Sequence, residues 1–586
     1  MLFLAPMVRT SALLLTAAAL VAISTVTAGQ TPAPLLSQPQ APLPSQPAFR
    51  TRTTLVPVDV RVVDASGKPV TDLTERDFEI LENGVPQRIQ SFAVQTFGTE
   101  PHVVAASAGV PAGGLKPIAP QSRRIFLIVL GRGRLQPPAR GVDGMIHFVR
   151  DRLLPNDIVA VMAWNRATAF TTDHAKITAF LERFKTQHVN IENALAMYFA
   201  GLTAIYGPRE IPKGIQKDID ALFGDPVALG TRTVTPGTLD QSDRIASDER
   251  RQIDALQRAE ILATRQPGEF LPETVDEADL FGLGMSLDEM ASTQAQSSQD
   301  LEKITAGIRY LRYLDGEKHL IFVSPGGVML PRRDDDLGLA AQAANARIAI
   351  SIVHTGGVSP NGGINWQAMT SQTVAEETGG TYSGLWYASK FADRLDDATR
   401  LQYLIGYSPA NPSLDGRFRH IVVRVKRRGL TVLHRHGYYA RESIEPLDRS
   451  RIVTYSRVSS AASAPQEIHD IALSATAQMT QPSKGQYLVT LQVHVAPERL
   501  QFSDAGDRKK GALEIAYFVA DAREQLVGQG WNTAALEMTP PAFAIFQAKG
   551  LSMNVKASVR APARWVKVVV YDPAADAIGS VILRVK

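Results

Sequence analysis

Two arginines stand where a buried strand gives way to a loop. Arg132 and Arg134 follow the apolar run RIFLIVL (124–130), which has the composition of a strand covered on both faces. A guanidinium presents a planar fork of N–H donors that fits a carboxylate in a bidentate manner. The simpler interpretation is a pair of solvated loop arginines, and the alternative is that Arg132 or Arg134 binds a partner's carboxylate.

Two further strand ends carry the other candidate residues. The run KHLIFVS (318–324) ends at Ser324 and is followed by Gly326, and the run ARIAISIVH (346–354) ends at His354. Open α/β sheets bind their ligands beyond the carboxyl ends of the strands. We therefore expect Ser324, Gly326 and His354 to join the two arginines in one partner-binding surface.

The groups of the common catalytic sites do not occur in this sequence. It has no cysteine, which excludes thiol catalysis, disulfides and cysteine-ligated zinc. It has no H-E-x-x-H, and Ser324 lacks the first glycine of G-x-S-x-G. Gln136 replaces the third glycine of a dinucleotide-binding loop, and His434 and His436 are more simply explained as packing or surface residues than as metal ligands. We expect no catalytic residue, no metal and no cofactor.

The elements that would position these residues alternate between strand and helix. After 124–130 come apolar residues at helical spacing and a second strand, DIVAVMAWN (157–165). This alternation predicts an α/β domain over about 120–400, with a mostly parallel, doubly wound sheet and helices on both sides. A segment at about 189–295 is too long for a connection, and we interpret it as a partly helical insertion.

The rest of the chain has strand patterns. Residues 53–95 contain an Asn-Gly hairpin signal, and 401–440 contain further strands, but neither segment can bury a core alone. We expect the two to form one discontinuous β unit with the α/β domain inserted between them. After a linker at 441–465, residues 466–586 alternate through five or more strands, which is typical of an immunoglobulin-like β-sandwich.

The amino terminus has the features of an export signal. Arg9 precedes an apolar run and small residues at a cleavage position, so 1–28 are expected to be a signal peptide and 29–52 a Pro/Gln-rich linker. A retained anchor is the alternative; no other stretch is long enough to span a membrane. The chain would then be exported, to the periplasm, the cell surface or the medium.

Length and charge narrow the function classes further. The 586 residues are too many for one core, which favours several domains. The 62 basic and 58 acidic residues nearly balance, and this argues against nucleic acid as the main partner.

Four longer stretches together resemble a known family. They are VVDASGKPVTDLTERDFEILENGVPQRI, FVRDRLLPNDIVAVMAWN, AEETGGTYSG and YLIGYSPANPSLDGRFRHIVVRVKRRGLTVLHRHGYYA, and they span roughly 53–440. The chain resembles exported bacterial proteins with a VWFA-related domain, akin to von Willebrand factor type A. The resemblance implies a von Willebrand type A α/β fold that generally binds proteins rather than catalysing a reaction.

The metal-site motif of that family is degenerate in this chain. In metal-binding members the first strand runs into D-x-S-x-S, whose oxygens hold Mg²⁺ or Mn²⁺, and a later T-D-G supplies a second Asp. The chain has GRGRL (131–135) and SPGG (324–327) at these places, without a carboxylate in either. A hard divalent ion binds weakly without carboxylates, and Arg132 or Arg134 could supply the positive charge instead.

The sequence thus predicts an exported, non-enzymatic protein-binding protein, an adhesin or a scaffold, with a protein partner. The Gly-rich stretch HTGGVSPNGGINW (354–366) would be a contact loop. The alternatives are an envelope hydrolase with its site in the 189–295 insertion and a structural assembly subunit.

Overall fold

The computed structural model describes most of the chain after residue 54. The described residues are 55–98, 103–104, 123–133, 135, 140–198, 211–228, 287–325, 327–328, 333–355, 366–384, 388–441, 454, 457–462 and 464–585. Five expected features lie wholly or largely outside them: the signal peptide, the first linker, most of the 189–295 insertion, the Gly-rich contact loop and most of the 441–465 linker.

A seven-stranded sheet lies at the centre of the α/β part. Its members are β6 (Arg124–Leu130), β7 (Ile158–Ala163), β8 (Arg166–Ala167), β9 (Val227–Ala228), β10 (Glu317–Ser324), β11 (Ile348–His354) and β12 (Tyr382–Ser383). The order is β12-β11-β10-β6-β7-β8-β9, and neighbouring strands from β12 to β7 are parallel, whereas β8 and β9 add antiparallel pairs. Every residue of β6, β10 and β11 is buried, as expected of strands covered on both faces.

Helices cover both faces of this sheet. They are α1 (Gly141–His147), α2 (His174–Tyr198), α3 (Lys213–Phe223), α4 (Leu287–Arg312), α5 (Arg333–Asn345), α6 (Trp366–Glu377) and α7 (Ala388–Ala398). One apolar cluster joins the sheet to α4, α5 and α6, and a second joins its other face to α1, α2, α3 and α7.

Helix α2 runs through the boundary expected at about 189. Helix α2 continues without a break to Tyr198, because Phe184, His188, Ile191 and Leu195 extend its buried face at helical spacing. The carboxyl-terminal part of α2 therefore belongs to the α/β core and is not the start of a separate insertion.

Strands from the two flanking segments pair with one another. The amino-terminal segment contains β1 (Val56–Val63), β2 (Phe78–Glu82), β3 (Val85–Gln87), β4 (Ile89–Thr96) and β5 (Val103–Val104), and the later one β13 (Leu401–Tyr407), β14 (Phe418–Val425), β15 (Thr431–Leu433) and β16 (Gly437–Tyr439). They form the sheets β15-β1-β13-β4-β5 and β16-β14-β2-β3. Apolar residues of both sheets, among them Val60, Ile80 and Tyr403, form one buried cluster.

Residues 466–585 contain eight strands and one helix. These are β17 (Leu473–Ser483), β18 (Gln486–Val495), β19 (Ser503–Ala505), β20 (Arg508–Ala520), β21 (Leu526–Met538), α8 (Pro540–Lys549), β22 (Leu551–Val559), β23 (Trp565–Asp572) and β24 (Ala577–Arg584). A β17-β18-β22 sheet and a second sheet centred on β20 and β23 share an apolar core that includes Leu491 and Val568. The sequence pattern did not predict α8.

Among the described residues, no helix is both long enough and apolar enough to cross a membrane.

Candidate functional site

The carboxyl ends of the parallel strands come together at one edge of the seven-stranded sheet. Strand β6 ends at Leu130 and leads into Gly131, and β10 and β11 end at Ser324 and His354. The backbone links these ends, because Gly131 donates its N–H to Val323 at 2.8 Å. Of the expected site residues, Arg132, Ser324 and His354 are described, and Arg134 and Gly326 lie outside the described residues.

The first charged group at this edge is Asp300, in α4, whose side chain is fully buried. Its Oδ1 accepts the Arg132 backbone N–H at 2.8 Å, and its Oδ2 accepts the Ser324 hydroxyl at 3.3 Å. Lys303, one helical turn further on, places Nζ 2.8 Å from Oδ1 and also donates to the carbonyl of Leu130 at 3.2 Å. A buried ammonium thus joins α4 to the end of β6.

The second carboxylate is Glu192, in α2, with a side chain 9% exposed. Its Oε2 accepts Arg132 Nε–H at 2.7 Å and the Gly133 backbone N–H at 3.0 Å, and its Oε1 accepts Trp164 Nε1–H at 2.7 Å. Arg132 Nη1 also donates to Gln299. One carboxylate therefore fixes the loop after β6 against the end of β7.

The four charges of Arg132, Lys303, Asp300 and Glu192 balance. The carboxylate that Arg132 binds belongs to its own chain, and the Arg132 side chain is only 11% exposed. An internal acid, Glu192, therefore binds the guanidinium that was expected to bind a partner's carboxylate, and a partner contact of Arg132 stays a prediction.

The close approach of the Ser324 and Asp300 side chains to the backbone explains the glycine at 131. A Cβ built on Gly131 would lie 2.8 Å from Ser324 Cβ and 3.0 Å from Asp300 Oδ2, closer than such atoms approach without displacement. A side chain at 131 would have to push apart the end of β10 and the Asp300 carboxylate.

Ser324 and His354 also turn inward. The Ser324 side chain has no exposed surface and accepts the Gly327 N–H at 3.2 Å. His354 is 3% exposed, and its Nε2 lies 2.9 Å from the Pro325 carbonyl while the Tyr382 hydroxyl lies 3.4 Å from Nδ1. Burial lowers the pKa of His354, which favours the neutral ring. Both side chains bind neighbouring loop groups inside the protein, and a direct contact with a partner stays a prediction.

Hydrogen bonds and the Lys303 ion pair surround the Asp300 carboxylate, so neither of its oxygens is an open metal ligand. Within the described parts of the chain, no group of three or more His, Asp or Glu side chains is arranged to hold a metal ion. The edge therefore has an internal cation, the Lys303 ammonium, beside its buried acid.

The sequence reasoning missed Glu192, Asp300 and Lys303. A signal was present, since each is a charged residue beside the apolar face of its helix: Glu192 lies four residues after His188, and Asp300 lies four before Ile304. Charged residues at core-facing positions are rare unless they are paired.

Comparisons with known proteins give no family for the chain. No family model matches it, and no curated protein matches it. One similar solved structure is the "Crystal Structure of DesR, a beta-glucosidase from Streptomyces venezuelae in complex with D-glucose", which is 11% identical over 49% of this chain and 36% of that chain, with a TM-score of 0.11. A likeness at this level carries no argument about fold or function.

Proposed function

We propose that the chain is an exported, non-enzymatic protein-binding protein, an adhesin or a scaffold, whose α/β domain is of the von Willebrand factor type A kind. It would recognise its partner at the carboxyl edge of the seven-stranded sheet without a metal ion. The proposal keeps the function class expected from the sequence and changes the role of the residues at that edge.

One observation carries the proposal: the loop that begins at Gly131 is anchored by buried acids. Asp300 takes the Arg132 N–H at 2.8 Å, and Glu192 takes the Gly133 N–H at 3.0 Å. Recognition loops of binding proteins are typically presented by a rigid frame whose own side chains are locked by packing and hydrogen bonds. The ion pairs would supply this frame, and the loop residues beyond it would supply the contacts.

Metal-free recognition follows from the Asp300–Lys303 pair. In a metal-bridged contact, an open coordination position accepts the partner's carboxylate. Here the Lys303 ammonium neutralises the acid and bonds to the Leu130 carbonyl, so a partner's carboxylate would meet no bound ion at this point. Arg134 would then be the arginine that binds a carboxylate of the partner.

Site-specific photo-crosslinking tests the proposal. A photoreactive amino acid at position 134 of the exported protein should give a covalent adduct with an envelope or extracellular protein. The matched control places the same group at Arg428, an exposed arginine in the turn after β14. An adduct from position 134 that is absent from position 428 supports binding at this edge.

Three outcomes would contradict the proposal. The first is that both positions give the same set of adducts, or that position 134 gives none. The second is turnover of a generic ester, amide or glycoside substrate by the purified protein, which would favour the envelope hydrolase. A large homo-oligomer crosslinked through position 134 would favour the structural assembly subunit.

A further inference from the structure

A small cavity, partly open to solvent, lies at the opposite edge of the same sheet, between β1 and the starts of β10 and β11. Its volume is about 30 Å³. The charged and imidazole side chains that line it come from separate parts of the chain: Asp59, Arg61, Glu317, Lys318, His319, Arg347 and Arg435. The cavity therefore lies at the junction of the β unit and the α/β part.

Positive charge exceeds negative charge around this cavity. Arg347 and Asp59 neutralise each other through two hydrogen bonds, of 2.9 and 2.5 Å. Arg61 Nη1 lies 3.7 Å from Glu317 Oε1 and forms the second pair. Lys318 also lines the cavity, and its ammonium donates to the Arg312 carbonyl at 3.2 Å. The charges of Arg435 and Lys318 remain without a carboxylate in this lining.

The Arg435 guanidinium is bound by neutral groups. Nη2 donates to the Pro57 carbonyl at 2.6 Å, and Nη1 lies 3.4 Å from the Ala344 carbonyl near the end of α5. The guanidinium also lies 5.7 Å from the centre of the Tyr438 ring. Desolvation lowers the pKa of Arg435, and the nearby charge of Asp59 opposes this shift only in part.

Hydrogen-bond donors remain unused beside the cavity. Among the described residues, Nε–H of Arg61 and Nε–H of Arg435 are both buried without an acceptor, and the Arg61 residue is only 5% exposed. Glu317 Oε2 is a buried acceptor without a partner and would oppose an anion. Its charge is offset by Arg61, so the surplus in the lining is still positive.

The size of the cavity limits what it can hold. A cavity volume of roughly 10–15 Å³ is enough for one water molecule, so about 30 Å³ has room for a small occupant. This space suits a few water molecules or one small anion. A buried donor pair with surplus positive charge favours an anion over water, because unpaired buried cations are costly.

We propose that this cavity is a binding site for one small monovalent anion of the halide class, with chloride as its physiological occupant. The anion accepts the free Nε–H groups of Arg61 and Arg435 and neutralises part of the surplus charge. It thereby ties β1 and the segment after β15 to the sheet. The site is independent of the partner-binding proposal.

Anion-dependent stability is the test. The purified chain is unfolded by heat at constant ionic strength while gluconate, a bulky organic anion, is replaced by chloride or bromide. A ligand that binds only the folded form raises Tm. We expect a saturable rise of several degrees with both halides. Arg435→Gln should abolish this rise, and Arg428→Gln, at an exposed arginine, should retain it.

Two results would overturn the proposal: equal Tm values in gluconate and chloride, which would leave water as the occupant, or an Arg435→Gln protein that responds to halide as the wild type does. Should Arg435→Gln fail to fold, line broadening of ³⁵Cl in solutions of the wild-type protein replaces it. Broadening that bromide displaces saturably supports the site, and its absence contradicts it.

Discussion

Lys303 Nζ lies 2.8 Å from Asp300 Oδ1 within one turn of α4, and both side chains are buried at the edge where β6 and β10 end. The pair connects three elements, since Asp300 also binds the loop after β6 and the Ser324 hydroxyl. Partner recognition at this edge, as proposed, depends on loops that such pairs hold in place.

Removing one member of the pair should cost more stability than removing both. Lys303→Met leaves the Asp300 carboxylate buried without its cation, and we expect the free energy of unfolding to fall by about 3–5 kcal/mol. The double variant Lys303→Met/Asp300→Leu should recover part of this loss. Urea unfolding of these two proteins and of the single variant Asp300→Leu gives the three losses, and a loss in the double variant equal to the sum of the two single losses would contradict the pairing.

Glu192→Leu should release both Arg132 and Trp164. The Arg132 guanidinium loses its carboxylate and Trp164 Nε1–H loses its acceptor, so we expect a loss of about 2–4 kcal/mol in unfolding free energy. Tryptophan emission of the folded protein should change as well. A Glu192→Leu protein with wild-type stability and emission would mean that these contacts do not form.

Gly131→Ala tests the close packing at the end of β6. The new Cβ would lie 2.8 Å from Ser324 Cβ, and the forced displacement should cost about 1–3 kcal/mol. Gly214→Ala is the matched control, because no atom lies within 4 Å of its added Cβ and alanine favours the helix α3. Thermal unfolding should rank Gly131→Ala below the wild type and Gly214→Ala at or above it; equal Tm values for the two variants would contradict the account.

His434 should make the stability depend on pH. Its Nε2 accepts the Val423 N–H at 3.3 Å and its Nδ1 donates to the Arg435 carbonyl at 2.8 Å, so the ring is held neutral. Burial lowers its pKa from 6.5 to about 4. Between these values the unfolded chain binds more protons than the folded one, so stability is complete above pH 6.5 and declines as pH falls towards 4.

The contribution of His434 over this window is about 3 kcal/mol. His434→Leu removes two hydrogen bonds and should be less stable than the wild type near neutral pH. The gap between the two proteins should narrow as pH is lowered from 6.5 towards 4. Urea unfolding across this range measures the gap, and a constant gap would contradict a neutral, buried His434.

Local sequence patterns were sufficient for most of the strands. The predicted strand at 124–130 is confirmed as β6, and the predicted runs 318–324 and 346–354 contain β10 and β11, because uninterrupted apolar runs between turn signals have few other solutions. The Asn-Gly hairpin is confirmed too: Asn83 and Gly84 have φ values of 48° and 80°, as a tight turn between β2 and β3 requires.

The site could not be predicted in the same way. Arg132 meets Glu192 60 residues away and Asp300 168 residues away in sequence, and no local pattern specifies such pairings. The strand pattern predicted that Arg132 follows the end of a strand, where the structure has it. It could not predict that the Arg132 side chain binds a carboxylate of the same chain. The one local indication of these contacts was the presence of charged residues beside the apolar faces of α2 and α4.

The most direct test of metal-free recognition at this edge is a titration of the purified protein with Mg²⁺, Mn²⁺ and Ca²⁺, followed by heat release and by Tm. Because Lys303 and two hydrogen-bond donors surround Asp300, we expect no saturable heat and no specific rise in Tm for any of the three ions. Saturable binding that raises Tm and is lost in Asp300→Asn would contradict metal-free recognition at this edge.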